Sequence, residues 1–249
     1  MAQYEKLDIA PITEALVDIQ IEPLPQDFLS QLKTMHDRII KEYPQSKQRI
    51  RWQGQFKIDQ GVPSSQTASG GPDGFLFTST DQKQIVQARL DGFTFNRLQP
   101  YTDWDTFKKS AKQMWKFYVE VAQPKAVVRT GLRYINRIEI PLPMKDLKEY
   151  FSTGPDISLE LTVKTISEYF MRIVIPINEN ESTVILTQAI EPGDYQKSIP
   201  VIFDIDVFCR KMVDPKSDAL WGAIDGLKEL RSDFFFKSIT DKTKRLFKK

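Results

Sequence analysis

Arg129, Arg133 and Arg137 stand four residues apart in AVVRTGLRYINRIEI. If that stretch is a strand, its period of two puts all three side chains on one face, about 13–14 Å apart. Guanidinium groups grip oxyanions through two parallel N–H bonds. The stripe is therefore a candidate surface for a phosphate or an acidic partner. A plainer arrangement explains the same residues. An equivalent strand, ALVDIQIE at 15–22, carries Asp18 and Glu22, and cross-strand ion pairs on a solvated sheet face would use up the arginines. Glu14, just ahead of Ala15, is a further candidate to pair with an arginine of the central strand.

A second cationic group lies at the end of the chain. From Lys237 to Lys249 there are six basic residues and one acid, a net of +5, so the preceding 236 residues sum to −3. The pI of about 8.4 comes from this tail, and the body is not a basic protein. Lys242, Lys244 and Arg245 are candidate anion contacts. Lysines at a helix C-terminus also complement the macrodipole and keep a surface solvated. No aromatic residues interleave with them to stack bases, and Phe247 reads as a docking residue.

Other chemistries are scarce. The single histidine, His36, falls in LSQLKTMHDRIIKEY beside the apolar stripe of an amphipathic helix, where it reads as a boundary residue. One cysteine, Cys209, permits neither an internal disulfide nor a cysteine-based zinc site. Asp204 and Asp206 are two apart in VIFDIDVFC and share a face, as metal-binding carboxylates can, but no third ligand stands at a diagnostic spacing. The glycines of QGVPSSQTASGGPDG, residues 60–74, are not followed by Gly-Lys-Ser/Thr, so no phosphate-binding loop is formed. No catalytic residue, metal or cofactor is expected.

The elements that must position these residues are legible from periodicity. Strands are expected at 15–22, 49–58, 74–80 and 84–98, the last with a bulge at Gly92. The second set is 126–140, 157–164, 169–177, 182–190 and 201–209. Helices are expected around His36 and at 103–121, 144–151, 218–233 and 240–247, with Ser238 or Thr240 as the last cap. The stretch 60–74 reads as an exposed loop.

The two halves resemble each other. IQI and IEI each run into Pro-Leu-Pro, at 23–25 and 141–143, and Leu29 and Leu147 share the same offset of 118. Each half reads β-α-β-β-β-α, which divides the chain at 1–124 and 125–249. The fold class expected is α+β. Two pseudo-repeats join edge to edge into one long twisted antiparallel sheet, with helices on one face and a polar, concave face opposite. On that plan Tyr134 and Asn136 point toward the helices, and the halves form one fused unit.

The chain has 249 residues, enough for one large domain or two small ones, and 11% aromatic residues speak against disorder. MAQYEKLDIAPITEA lacks the basic and apolar regions of a signal peptide, and no apolar run approaches the ~20 residues that span a bilayer. A reduced, cytoplasmic protein with no membrane partner is expected.

Three stretches, PITEALVDI at 11–19, GLRYINRIEIP at 131–141 and LKELRSDFFFKSITDKTKRLF at 227–247, resemble a sporadically distributed prokaryotic protein family of unknown function. The resemblance implies a bacterial or archaeal cytoplasmic protein with no established catalytic residues to carry over. Its patchy distribution suggests mobile or defence-related genes. The leading expectation is a non-enzymatic binding or adaptor protein, a partner-binding component of a defence or toxin–antitoxin operon. A homo-oligomer paired through a sheet edge fits as well. One alternative is a nucleic-acid or nucleotide binder using Arg129, Arg133, Arg137 and the basic tail, which is not favoured. The other is a carboxylate- or metal-dependent enzyme using Asp204 and Asp206.

Overall fold

The computed structural model describes residues 4, 7–59, 62–158, 160, 162, 166–193 and 195–248, with side chains described except at 52–59, 62–69 and 180. In chain order the elements are β1 (Ile12–Ile21), α1 (Phe28–Lys33), α2 (Met35–Ile39), β2 (Gln45–Asp59), β3 (Val62–Thr78), β4 (Gln84–Arg89), β5 (Gly92–Leu98) and α3 (Trp104–Ala122). There follow β6 (Val127–Pro141), a 3-10 turn (Leu147–Glu149), β7 (Phe170–Ile177), a second 3-10 turn (Asn178–Asn180), β8 (Ser182–Ile190), β9 (Ser198–Cys209), α4 (Asp218–Ser238) and α5 (Asp241–Arg245). The nine strands form one sheet in the order β2-β3-β4-β5-β1-β6-β9-β8-β7, antiparallel throughout.

Alternation along each strand separates the two faces. Phe77, Val86, Phe95, Val17, Leu132, Val207 and Val184 are successive register partners across seven strands. All seven are fully buried. Each such side chain contributes about 1.5–3 kcal/mol by leaving water. A one-residue slip of any strand would move its apolar set to the wrong face, so this row sets the register of the polar rows beside it.

The helices cover the apolar face. Asp103 caps α3 by accepting from the Thr106 N–H at 2.8 Å, and a left-handed Gln123 (φ 45°) ends it. The buried stripe of α3 sets Phe107 against Phe95, and Trp115 and Tyr118 against Phe93. Ser217 caps α4, whose Phe235 stacks on Phe203 of β9. Tyr134 and Asn136 face this layer as expected. The Tyr134 hydroxyl meets that of Tyr101 at 2.7 Å, and the Asn136 amide donates to the Phe203 carbonyl at 2.9 Å. Arg231 of α4 lies 3.9 Å over the Tyr134 ring, and burial pulls its pKa down.

Several expected elements differ. The segment 84–98 is a hairpin, not one bulged strand. It reverses at Leu90–Asp91, and a Cβ on Gly92 (φ +152°) would sit 2.2 Å from the Ile19 carbonyl oxygen. Glycine alone allows both that dihedral and that approach. Of the expected loop 60–74, residues 62–74 belong to β3 and pair with β2 from Asp59↔Val62 onward, while 60 and 61 lie outside the described residues. Backbone pairing needs no apolar periodicity, so composition concealed it. The helix expected at 144–151 is only the 3-10 turn. In the expected strand 157–164, residues 157, 158, 160 and 162 are not in a strand, and the rest lie outside the described residues. Neither half therefore follows β-α-β-β-β-α strictly. Among the described residues no helix is long and apolar enough to cross a membrane.

Candidate functional site

The face opposite the helices carries the charged residues, because β1, β4, β6 and β9 all place them in the same alternation phase. Asp18 and Gly131 are register partners, as are Gly131 and Phe208, and Arg133 and Asp206. Gly131 opens a gap between Arg129 and Arg133 of its strand. A Cβ there would lie 2.9 Å from Arg129 Nη1, so the missing side chain lets that guanidinium fold over the sheet.

An alternating series of charges crosses the sheet. Arg49 and Arg51 of β2 both meet Asp73 of β3, Arg51 through Nε at 3.4 Å. Arg51 also holds Asp91 at 2.5 Å, and Asp91 accepts from Arg89 Nε at 2.9 Å. Arg89 Nη2 reaches Asp18 at 2.8 Å, and Arg129 Nη1 reaches the other oxygen of Asp18 at 2.7 Å. The Thr94 hydroxyl adds a bond to Asp18 at 2.9 Å. Arg129 Nη2 ends the series at Asp206, 3.6 Å away. Burial alone would lower the pKa of Arg89, but Asp18 and Asp91 together outweigh it and hold the guanidinium above its ordinary value. Arg133 is clasped through two bonds by Asp204, at 2.8 and 2.6 Å, and those bonds raise its pKa. Asp206 is the weakly held member. Burial lifts its carboxyl above the ordinary aspartate value, against the pull of Arg129 and Arg133.

A cavity of about 470 Å³ opens over the end of this series, with Asp18, Arg129, Arg133, Asp206, Phe208 and Arg210 in its walls. The Phe208 ring sits 4.2 Å from the Arg129 guanidinium and 5.5 Å from that of Arg210. Arg210 is exposed and has no ion pair among the described residues. The arrangement sets cationic and aromatic groups over a polar floor. It offers free N–H donors from Arg210 and the outer edge of Arg133, whose side chain is 41% exposed.

The structure distributes the sequence candidates unevenly. Arg129 and Arg133 line the cavity. Arg137 shares their face but lies outside it, bound to Glu191 at 2.7 Å and to Glu139. Glu14 accepts from the Asn96 amide instead of an arginine, because β5 lies on that side of β1 and Ile135 is its register partner in β6. Asp18 meets the arginines as expected. Glu22 lies past the end of β1 and makes no ion pair among the described residues. Asp204 and Asp206 are each turned to an arginine. Among the described residues no group of three His, Cys, Asp or Glu could hold a metal. His36 meets the Tyr43 carbonyl at 2.9 Å and stacks on Phe77, and buried Cys209 meets the Thr130 hydroxyl at 3.2 Å.

The basic tail is elsewhere. Lys242 pairs with Glu149 and covers the Tyr150 ring at 4.4 Å, Lys244 pairs with Asp241 at 2.8 Å, and Arg245 is exposed. Thr240 caps α5, as its expected role required. Tyr150 leads into Phe151, which packs on Phe203 under the helices, so the tail belongs to the helix side and the arginines to the opposite side. Sequence reasoning missed Arg89, Thr94, Phe208 and Arg210. The last two were within reach, since Asp204, Asp206, Phe208 and Arg210 continue one period-two series.

No protein-family model, no curated protein and no solved structure matches the chain.

Proposed function

We propose that this is a non-enzymatic binding or adaptor protein that receives an acidic group of a protein partner on the polar sheet face. The observation that carries the reading is the cavity at Arg129, Arg133, Phe208 and Arg210, where one guanidinium has no carboxylate partner among the described residues and a second is half-exposed. Guanidinium and aromatic groups are what partner surfaces concentrate at their anchors. The resemblance to the sporadic prokaryotic family lends support, because its stretches 11–19 and 131–141 fall on the paired strands β1 and β6 that floor the site. We also read the sheet as a duplication. In each half the first strand pairs with the last, β1 with β5 and β6 with β9, and β1 and β6 join the halves.

The nucleic-acid or nucleotide reading joined the arginines and the tail as its contacts. They lie on opposite sides of the sheet, and two of the three tail cations are paired locally. Native mass spectrometry of the untagged chain from its own host tests the proposal, with wild type beside Arg210→Glu. The expected result is a stoichiometric second polypeptide on wild type that is lost from the variant. A chain found alone, one carrying only a nucleotide-sized adduct, or a partner kept by the variant overturns it.

A further inference from the structure

A second concave surface lies on the helix side, between α3 and the start of α4. The two helices run antiparallel. Trp104 Nε1 donates to Asp225 at 3.1 Å, Lys112 meets Asp218 at 2.9 Å, and Trp115 Nε1 donates to the Pro215 carbonyl at 2.9 Å. Between them lies a groove of about 700 Å³. Trp115, Val119, Pro215 and Trp221 form its floor. Along α3 the groove is bounded from Lys109 to Glu120, which at helical rise is about 16 Å, or three turns.

The rim is cationic. Lys109, Lys112 and Lys116 recur at helical spacing on one wall, and Lys216 stands on the other. The two acids of the rim are already engaged, Glu120 by Arg38 and Asp218 by Lys112. Lys109, Lys116 and Lys216 are exposed and form no ion pair among the described residues. An apolar trough bordered by three uncompensated ammonium groups favours an occupant that is apolar in the middle and acidic at its flanks.

We infer that this groove docks an amphipathic helix of a protein partner, with apolar residues at i, i+3 or i+4 and i+7 and Asp or Glu beside them. Helices recognised in grooves present that pattern. Three turns match the length of the trough, and acids at helical spacing meet the lysines at the same pitch. A lipid surface fits poorly. Trp115 and Trp221 are only 3% and 5% exposed, recessed below the lysines, whereas interfacial binding needs apolar side chains that project. The inference stands apart from the sheet-face proposal, since neither site shares a residue with the other.

The test is selection from a displayed library of helical peptides with randomised surface positions, on the immobilised full chain. Acidic amphipathic peptides are expected to enrich. Their affinity should fall steeply with salt, and about tenfold or more in Lys109→Glu/Lys116→Glu. Arg210→Glu should leave it unchanged, and Trp115 and Trp221 emission should shift on titration. No enrichment, enrichment of basic or neutral peptides, or affinity indifferent to the lysine variants overturns the inference. Phosphatidylglycerol vesicles that bind through the same lysines while no peptide does would also overturn it, in favour of a membrane surface.

Discussion

Arg129 reaches Asp18 with a side chain 13% exposed and shares that carboxylate with Arg89, whereas Lys242 reaches Glu149 with a side chain 43% exposed. Both were cationic candidates on composition. On the sheet face the charges interlock, so each buried group depends on its neighbour for the loss of water to be offset. In the tail, uncharged groups anchor the segment beside the exposed Lys242–Glu149 pair. The Thr240 hydroxyl donates to the Glu149 carbonyl at 2.6 Å, the Thr243 hydroxyl to the Tyr150 carbonyl at 2.5 Å, and Phe247 is buried. The difference teaches that a charge cluster read from sequence has no fixed meaning. Enclosure decides whether it is structure, site or solvation.

The largest expected effect is at the centre of the series. Asp18→Asn leaves Arg89 and Arg129 without their shared carboxylate, and urea unfolding should show a loss of about 3–5 kcal/mol. A loss below about 1 kcal/mol would mean the series behaves like an ordinary exposed pair, and the contrast with the tail would collapse. Next is Arg133→Ala, which strands Asp204, itself only 7% exposed, at about 1–3 kcal/mol. Arg137→Ala, at the more exposed end of the same stripe, should cost about 1 kcal/mol or less. Equal costs for the two would show that enclosure does not grade the stripe.

Asp206→Asn sharpens the comparison by its pH dependence. A carboxyl whose pKa is raised in the folded state binds its proton more tightly folded than unfolded. That favours folding below the ordinary aspartate value, and the benefit is lost as pH rises through the folded value. The asparagine variant should therefore gain on wild type as pH rises above about 4, the ordinary aspartate value. A difference flat above that value would show that Asp206 is not penalised by its burial. The smallest effect belongs to the tail. Lys242→Ala and Lys244→Ala should leave the urea midpoint unchanged, while Thr243→Val, which removes a buried hydroxyl bond, should lower stability by about 1 kcal/mol. A larger loss at Lys242 than at Thr243 would reverse the account of how α5 is anchored.

Much of the site was legible because period-two alternation is local. Arg129 and Arg133 could be placed on one face from their spacing, and Tyr134 and Asn136 on the other. Arg89 could not be found that way. Read inside one strand from 84 to 98, it had no special place; only the reversal at Leu90–Asp91 puts it beside Asp91 and Asp18. Glu14, a candidate partner for a central-strand arginine, meets Asn96 instead because β5 occupies the adjoining position. β3 escaped notice because Ser, Gly and Pro carry no apolar alternation, although their backbone groups pair as well as any.

The sequence by itself determined the α+β class, the antiparallel strands with one buried face, the helices α3 and α4, and the segregation of the arginines from Tyr134 and Asn136 along β6. Those follow from side-chain periodicity, which a strand or helix imposes on its own residues. Tertiary structure alone decided which acid meets which arginine, which guanidinium has no ion pair among the described residues, and that tail and stripe lie on opposite sides. Such pairings depend on strand order and register between residues up to about a hundred positions apart, as with Arg129 and Asp18. They are settled by burying the whole apolar face at once, and no local pattern carries that information.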